Sequence, residues 1–70
     1  MRYVVIFEKS RTGYSAYAPD LPGCIAAART LKETAKLMRE AIEFHIEGLR
    51  LHGEPVPEPT TVADSILVSA

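Results

Sequence analysis

Between Thr30 and Gly53 the chain carries both a start and a stop for one long helix, and this bounds everything else it can build. Thr30-Leu31-Lys32-Glu33 matches a capping box. The Thr30 hydroxyl can accept from the Glu33 amide, and Glu33 can reach back to the Thr30 amide. Gly53 suits a helix stop, and prolines at 55, 57 and 59 block continuation. At 3.6 residues per turn the segment makes about six turns. Any sheet must therefore come from the residues before Thr30 and after Pro59.

Those flanks read as strands. Arg2 to Lys9 is dense in β-branched and aromatic side chains, with Tyr3, Val5 and Phe7 alternating against Val4 and Ile6. Both sets are apolar, which predicts a strand buried on both faces. Ser10-Arg11-Thr12-Gly13 suits a hairpin turn. Tyr14 to Ala18 is a second strand and Cys24 to Ala28 a third, weak by propensity because it is rich in alanine. The turn between them is stiff. Pro19 and Pro22 fix two φ angles, Asp20 can fold its carboxylate onto nearby backbone, and Gly23 supplies a positive φ if the turn requires one. Glu54 to Pro59 is a polyproline-like connector, and Ser65 to Ser69 reads as a last strand.

These elements predict one α+β domain spanning residues 1–70, with order β-β-β-α-β. Three strands form a meander, and the helix crosses over to a fourth. A right-handed crossover places strand four beside strand one. The expected result is a four-stranded mixed sheet in the order 3-2-1-4, with the helix packed on one face and strand one central.

Seventy residues form one small domain. A chain of this size buries only about 60 % of the surface its unfolded form exposes. Support from a second copy is therefore expected. Cys24 is the only cysteine, which excludes an internal disulfide and fits a reducing, cytoplasmic setting. His45 and His52 do not pair with it at metal-ligand spacing, so no metal and no other cofactor is expected. A net charge of −1 lacks the basic excess of a nucleic-acid surface. No apolar run reaches membrane-spanning length, and the N-terminus lacks a signal-peptide pattern.

The helix carries more apolar surface than one sheet can cover. Leu31, Ala35, Met38, Ile42, His45, Ile46 and Leu49 share one face, the expected core face. Leu37, Phe44 and Leu51, with Ala41 and Gly48 between them, form a separate stripe. That stripe is the expected homo-oligomer contact. In the opening half, Tyr14 and Tyr17 with the rigid Pro19-Asp20-Leu21 turn are the expected partner-binding residues, since tyrosine offers large area with a polar tip. Chemistry is poorly served. Cys24 reads as a small buried hydrophobe, His45 as a satisfied imidazole on the core side, and His52 as a cation at the helix C-terminus. A two-metal nuclease needs convergent carboxylates. Glu8, Asp20 and Asp64 are the only acids placed near such a site, and the middle of strand one has none.

The string Gly13-Tyr14-Ser15-Ala16-Tyr17-Ala18-Pro19-Asp20-Leu21-Pro22-Gly23-Cys24 resembles the HicB-like antitoxin family. So do the opening strand Tyr3 to Lys9, the helix segments around Thr30-Leu31 and Glu40-Ala41-Ile42, and the exit Gly53-Glu54-Pro55-Val56-Pro57-Glu58-Pro59. The resemblance covers nearly the whole chain. It implies a partial ribonuclease H-like fold and a protein-binding module that is not an enzyme. Its implied partner is a HicA-type toxin, a small mRNA-cleaving ribonuclease, neutralised by occlusion. Many such antitoxins add a C-terminal DNA-binding domain, whereas this sequence stops at Ala70, so no direct DNA binding is expected of it. The alternatives are a vestigial ribonuclease H-like nuclease using Glu8, Asp20 or Asp64 with Mg²⁺, and an oligomeric scaffold without a toxin.

Overall fold

In the computed structural model, which describes residues 1–69, three short strands precede one long helix. β1 is Ile6–Lys9, β2 is Tyr14–Tyr17, β3 is Ile25–Ala28 and α1 is Leu31–Leu51. The strands form an antiparallel sheet in the order β1-β2-β3. Ile6 lies opposite Tyr17 and Tyr17 opposite Ile25, while Phe7, Ala16 and Ala26 share the next row. Side chains alternate across a sheet. The row Phe7–Ala16–Ala26 therefore faces α1, and the row Ile6–Tyr17–Ile25 faces away from it.

Glycine shapes the two hairpins for different reasons. Ser10 donates to the Gly13 carbonyl at 2.8 Å to close the first turn. A Cβ at Gly13 would collide with the Ala28 carbonyl oxygen, so close backbone approach dictates this glycine. In the second hairpin, Leu21 donates to Ala18 and Cys24 donates to Leu21, each at 3.0 Å. Gly23 sits at φ +84°, the conformation that the sequence allowed for.

The helix begins where the capping box places it. Thr30 is extended at φ −118°, and its hydroxyl accepts from the Glu33 amide at 3.1 Å. The reciprocal arm differs from expectation: the Glu33 carboxylate accepts from the Thr30 hydroxyl at 2.9 Å. At the other end Gly53 donates to Arg50 and Glu54 to Leu49, with Gly53 at φ +66°. This is a Schellman closure. The His52 Nδ1 also donates to the Gly48 carbonyl at 2.8 Å.

α1 packs over β3 and β2 and barely meets β1. The core is small and built mostly of small side chains: Ala16, Ala18, Leu21, Cys24 and Met38, with Tyr3, Val5, Ala26, Ala41 and Ile42 against it. Alanine on β2 lets the helix approach closely. The buried helix face is accordingly turned from the expected one. Thr34 and Met38 are its buried residues, Ala41 joins the core, and Leu31 and Ala35 are exposed. Thr34 is tolerated there because its hydroxyl donates to the Thr30 carbonyl at 2.8 Å.

The expected four-stranded mixed sheet in the order 3-2-1-4 does not form. Residues 62–69 carry no regular secondary structure, and β1 is an edge strand of three, with β2 in the centre. The connector explains why. The Tyr3 hydroxyl donates to the Pro57 carbonyl at 2.6 Å. Three residues later, Thr60 and Thr61 bond the Asp20 carboxylate in the β2–β3 turn. The connector thus runs past the start of the first strand to the turn beyond β2. The Ser65 to Ser69 segment leaves from there, and β1 keeps an unpaired edge among the described residues.

Candidate interaction surface

Four places on this molecule could meet something else. The first is the open face of the sheet. Its row Ile6–Tyr17–Ile25 is apolar, with Tyr17 41 % and Ile25 70 % exposed. The next row is Glu8, Ser15 and Ala27, which is polar or small. An aromatic flanked by aliphatics and rimmed by polar groups is the composition of a protein-binding patch.

The second is the outer side of α1. Leu37, Phe44 and Leu51 are all exposed, Phe44 at 79 % and Leu51 at 77 %, while Ala41 and Gly48 lie half-buried beneath them. The stripe is therefore outside the core, as the helical spacing indicates. The third is a groove between the first strand and α1. One hollow of about 620 Å³ is lined by Tyr3, Ile42, Ile46 and Leu51. A second of about 410 Å³ adjoins it along Val5, Phe7, Ala35 and Met38. Met1, Arg39, Glu43, Glu47 and Arg50 complete its walls. The fourth is the extended segment after the Asp20 contact, where Val62, Ile66, Leu67 and Val68 are exposed.

The expected partner-binding residues do not share one surface. Tyr17 stands on the open face, whereas Tyr14 lies in the alternate set facing α1 and is half-buried. Leu21 is completely buried and belongs to the core. Pro19 is half-buried. Asp20 is committed inside the chain. Its Oδ2 accepts from the Thr60 and Thr61 amides at 3.0 and 2.9 Å, and its Oδ1 from their hydroxyls at 3.1 and 2.8 Å. The Thr61 amide, then the Thr61 hydroxyl, with smaller help from Thr60, hold this carboxyl below its usual range against a lesser opposing effect of desolvation. Ile25, by contrast, is a β3 residue on the surface; its register opposite Tyr17 is what exposes it. Nothing local in the sequence marks the Asp20–Thr60–Thr61 contact, because its halves lie 40 and 41 residues apart.

Groups with chemical potential are dispersed. Glu8 is an exposed side chain next to the end of β1, and Asp64 accepts from the Ser65 amide at 2.8 Å. Among the described residues, no three of His, Cys, Asp and Glu gather where they could hold a metal ion. Burial pushes the Cys24 thiol up, which suits a packing role over a nucleophilic one. No helix among the described residues is long and apolar enough to cross a membrane.

Residues 3–68 match the family described as HicB-like antitoxin of bacterial toxin–antitoxin systems. A protein of Thermoplasma acidophilum called UPF0150 protein Ta0767 is 39 % identical over 71 residues, covering all of both chains. An uncharacterized 14.9 kDa protein from the rep-hol intergenic region of Haemophilus phage HP1 is 39 % identical over 66 residues. That alignment covers 94 % of this chain and 50 % of the phage protein, so the chain spans half of that relative's length. Among solved structures, a chain of the HicA3 and HicB3 toxin–antitoxin complex is similar, with a TM-score of 0.72 and 35 % identity. The match covers 86 % of this chain and 70 % of the other.

Proposed function

The chain belongs to the HicB-like antitoxin family, and we propose that it is a protein-binding module that neutralises a HicA-type toxin by occluding it. The observation that carries this reading is the likeness, at 35 % identity, to a chain of a toxin–antitoxin complex. The module works in the cytoplasm, performs no catalysis and needs no cofactor. Its partner is a small ribonuclease, and its contribution is to cover that enzyme's working surface.

The open sheet face suits that contact. Tyr17 and Ile25 project from a hydrogen-bonded sheet, so they are ordered before the partner arrives. Preorganised side chains lose little entropy on binding. The turn below them is braced by Asp20, which holds the Pro19–Pro22 loop to Thr60 and Thr61. Asp20 thus serves the contact as a support, and Leu21 as its anchor in the core. The stripe Leu37, Phe44 and Leu51 is a contact between copies of this chain, with Gly48 letting the partner helix approach, while Ala41 turns toward the core instead.

The test is co-expression with a HicA-type toxin. Tyr17→Ala and Ile25→Asp are expected to abolish protection of cells while leaving the circular-dichroism spectrum unchanged. If the double variant protects as well as the parent, the open face is not the toxin contact.

A further inference from the structure

We propose that the end of the molecule where the first hairpin turn meets the start of α1 binds a single strand of RNA through its phosphates. RNA is named over DNA because the proposed toxin partner acts on RNA, and only that choice rests on the toxin reading.

The net charge of −1 conceals a segregation. Residues 1–39 hold seven of the eight lysines and arginines, whereas residues 40–70 hold six of the nine acids. The fold turns this order along the chain into an order in space. Lys9 lies in one row with Tyr14 and Ala28. Gly13 brings the hairpin turn against the Ala28 carbonyl and the Arg29 backbone. α1 starts just after Arg29, at Leu31. Lys9, Arg11, Arg29 and Lys32 therefore gather at one end of the sheet, with Lys36 one turn along the helix, and all five are exposed. Glu54 and Glu58 lie at the opposite end, where the Tyr3 hydroxyl holds the Pro57 carbonyl.

These cations are not placed for the benefit of the helix itself. Lys32 stands in the first turn, at the positive pole, while Glu40, Glu43 and Glu47 occupy the second half. That is the reverse of the order the macrodipole favours. Lys32 and Lys36 are also like-charged neighbours at i, i+4 spacing, which repel. A bound anion relieves both. The acids at this end do not cancel the charge. The Glu33 carboxylate is engaged by the Thr30 hydroxyl at 2.9 Å. Glu8 alternates to the sheet face opposite that of Lys9.

A ligand for this end must offer several negative charges at once. The cations come from three segments, the first hairpin, the exit of β3 and α1, so they are not carried by one helix or ribbon that could enter a duplex groove. A flexible strand can follow them. Arg11 and Arg29 can hold phosphates in a bidentate fork and offer flat guanidinium faces on which bases stack. Phe7, 36 % exposed on the wall it shares with Arg39, adds an aromatic face beside them. Phosphate contacts carry no sequence information, so the binding is expected to be independent of sequence.

The test is fluorescence anisotropy of a labelled oligouridylate of about 12 nucleotides, titrated with the full chain and no toxin. The parent is expected to bind, and about four phosphate contacts give a slope of log K against log salt of about −3. Arg11→Glu/Arg29→Glu should weaken binding about tenfold or more with an unchanged circular-dichroism spectrum, since both side chains are exposed. Arg2→Glu/Arg50→Glu makes the same change of net charge at exposed positions elsewhere and should weaken it less than about threefold. Lys32→Gln should weaken binding while leaving Tm unchanged or higher, because it removes the repulsion with Lys36. Equal losses in the two double variants would overturn the proposal, since net charge alone would then explain them. So would a parent that fails to bind in dilute salt, or binding that salt does not weaken. A DNA strand of matching sequence, or the RNA duplex, bound more tightly than the single RNA strand would overturn the choice of ligand. No toxin takes part, so these results stand apart from whether the chain silences one.

Discussion

Leu21→Ala is the substitution with the sharpest consequence, because the sequence places Leu21 on a binding loop and the structure places it in the core. The side chain is fully buried against Ala16, Ala18, Cys24 and Met38. Three of its four core companions cannot close the gap: two are alanines with no rotamer to change and Cys24 is short, so only Met38 is flexible. A leucine-to-alanine change at a buried site costs about 3 kcal/mol when the cavity persists. A domain of this size loses about 4–8 °C of Tm per kcal/mol, so the fall should be about 12–24 °C. Stability of small domains lies near about 5 kcal/mol, and the variant would retain less than half. Thermal unfolding of parent and variant at equal chain concentration measures this, since any association of copies would make Tm concentration-dependent. A fall of less than about 4 °C, the shift expected for 1 kcal/mol or less, would refute the packing argument. Loss of toxin binding at unchanged Tm would refute it differently, by making Leu21 a contact residue.

Gly13→Ala should destabilise by about 1–3 kcal/mol, because the new methyl meets the Ala28 carbonyl and Arg29 backbone and neither is a flexible side-chain end; urea unfolding reads this. Thr30→Ala removes the cap on Glu33 and should cost about 1 kcal/mol, with most of it restored by Thr30→Ser. Asp20 gives a pH dependence of defined sign. Its folded pKa is depressed, so the bonds to Thr60 and Thr61 are fully present above the ordinary carboxylate value of about 3.9. They are lost as pH falls through the lower folded value, and the Thr60 and Thr61 amide resonances should move together in that acid range; movement centred above pH 5 would contradict the assignment. Phe44→Glu puts a charge at the exposed helix stripe and should lower the sedimenting mass without altering the circular-dichroism spectrum; an unchanged mass would remove the stripe as the contact between copies.

The helix was legible because its signals are local. Thr30, Glu33 and Gly53 each act within one turn, and the structure uses all three. The meander was legible for the same reason, since alternation and turn residues set the β1–β2 and β2–β3 pairings. The fourth strand was not, although Ser65 to Ser69 has strand composition. Composition says that a segment can pair, and a contact between Asp20 and two threonines 40 and 41 residues away decides where it is carried. Side-chain hydrogen bonds across that separation leave no periodicity. The buried helix face was misjudged by a related limit. Apolar spacing favoured Leu31 and Ala35, while Thr34 and Ala41 won because small or self-satisfied residues allow closer approach to an alanine-rich sheet. At the interaction surface, Tyr17 was legible by type. Ile25 was not, because its exposure follows from register and from which face the helix covers.

The domain is proposed to silence a ribonuclease by covering it. The direct measurement is RNA cleavage by a purified HicA-type toxin, titrated with the purified full chain. Cleavage should fall to background at a fixed stoichiometry, and Tyr17→Ala/Ile25→Asp should shift or abolish this titration. Full-rate cleavage at saturating amounts of the chain would contradict it.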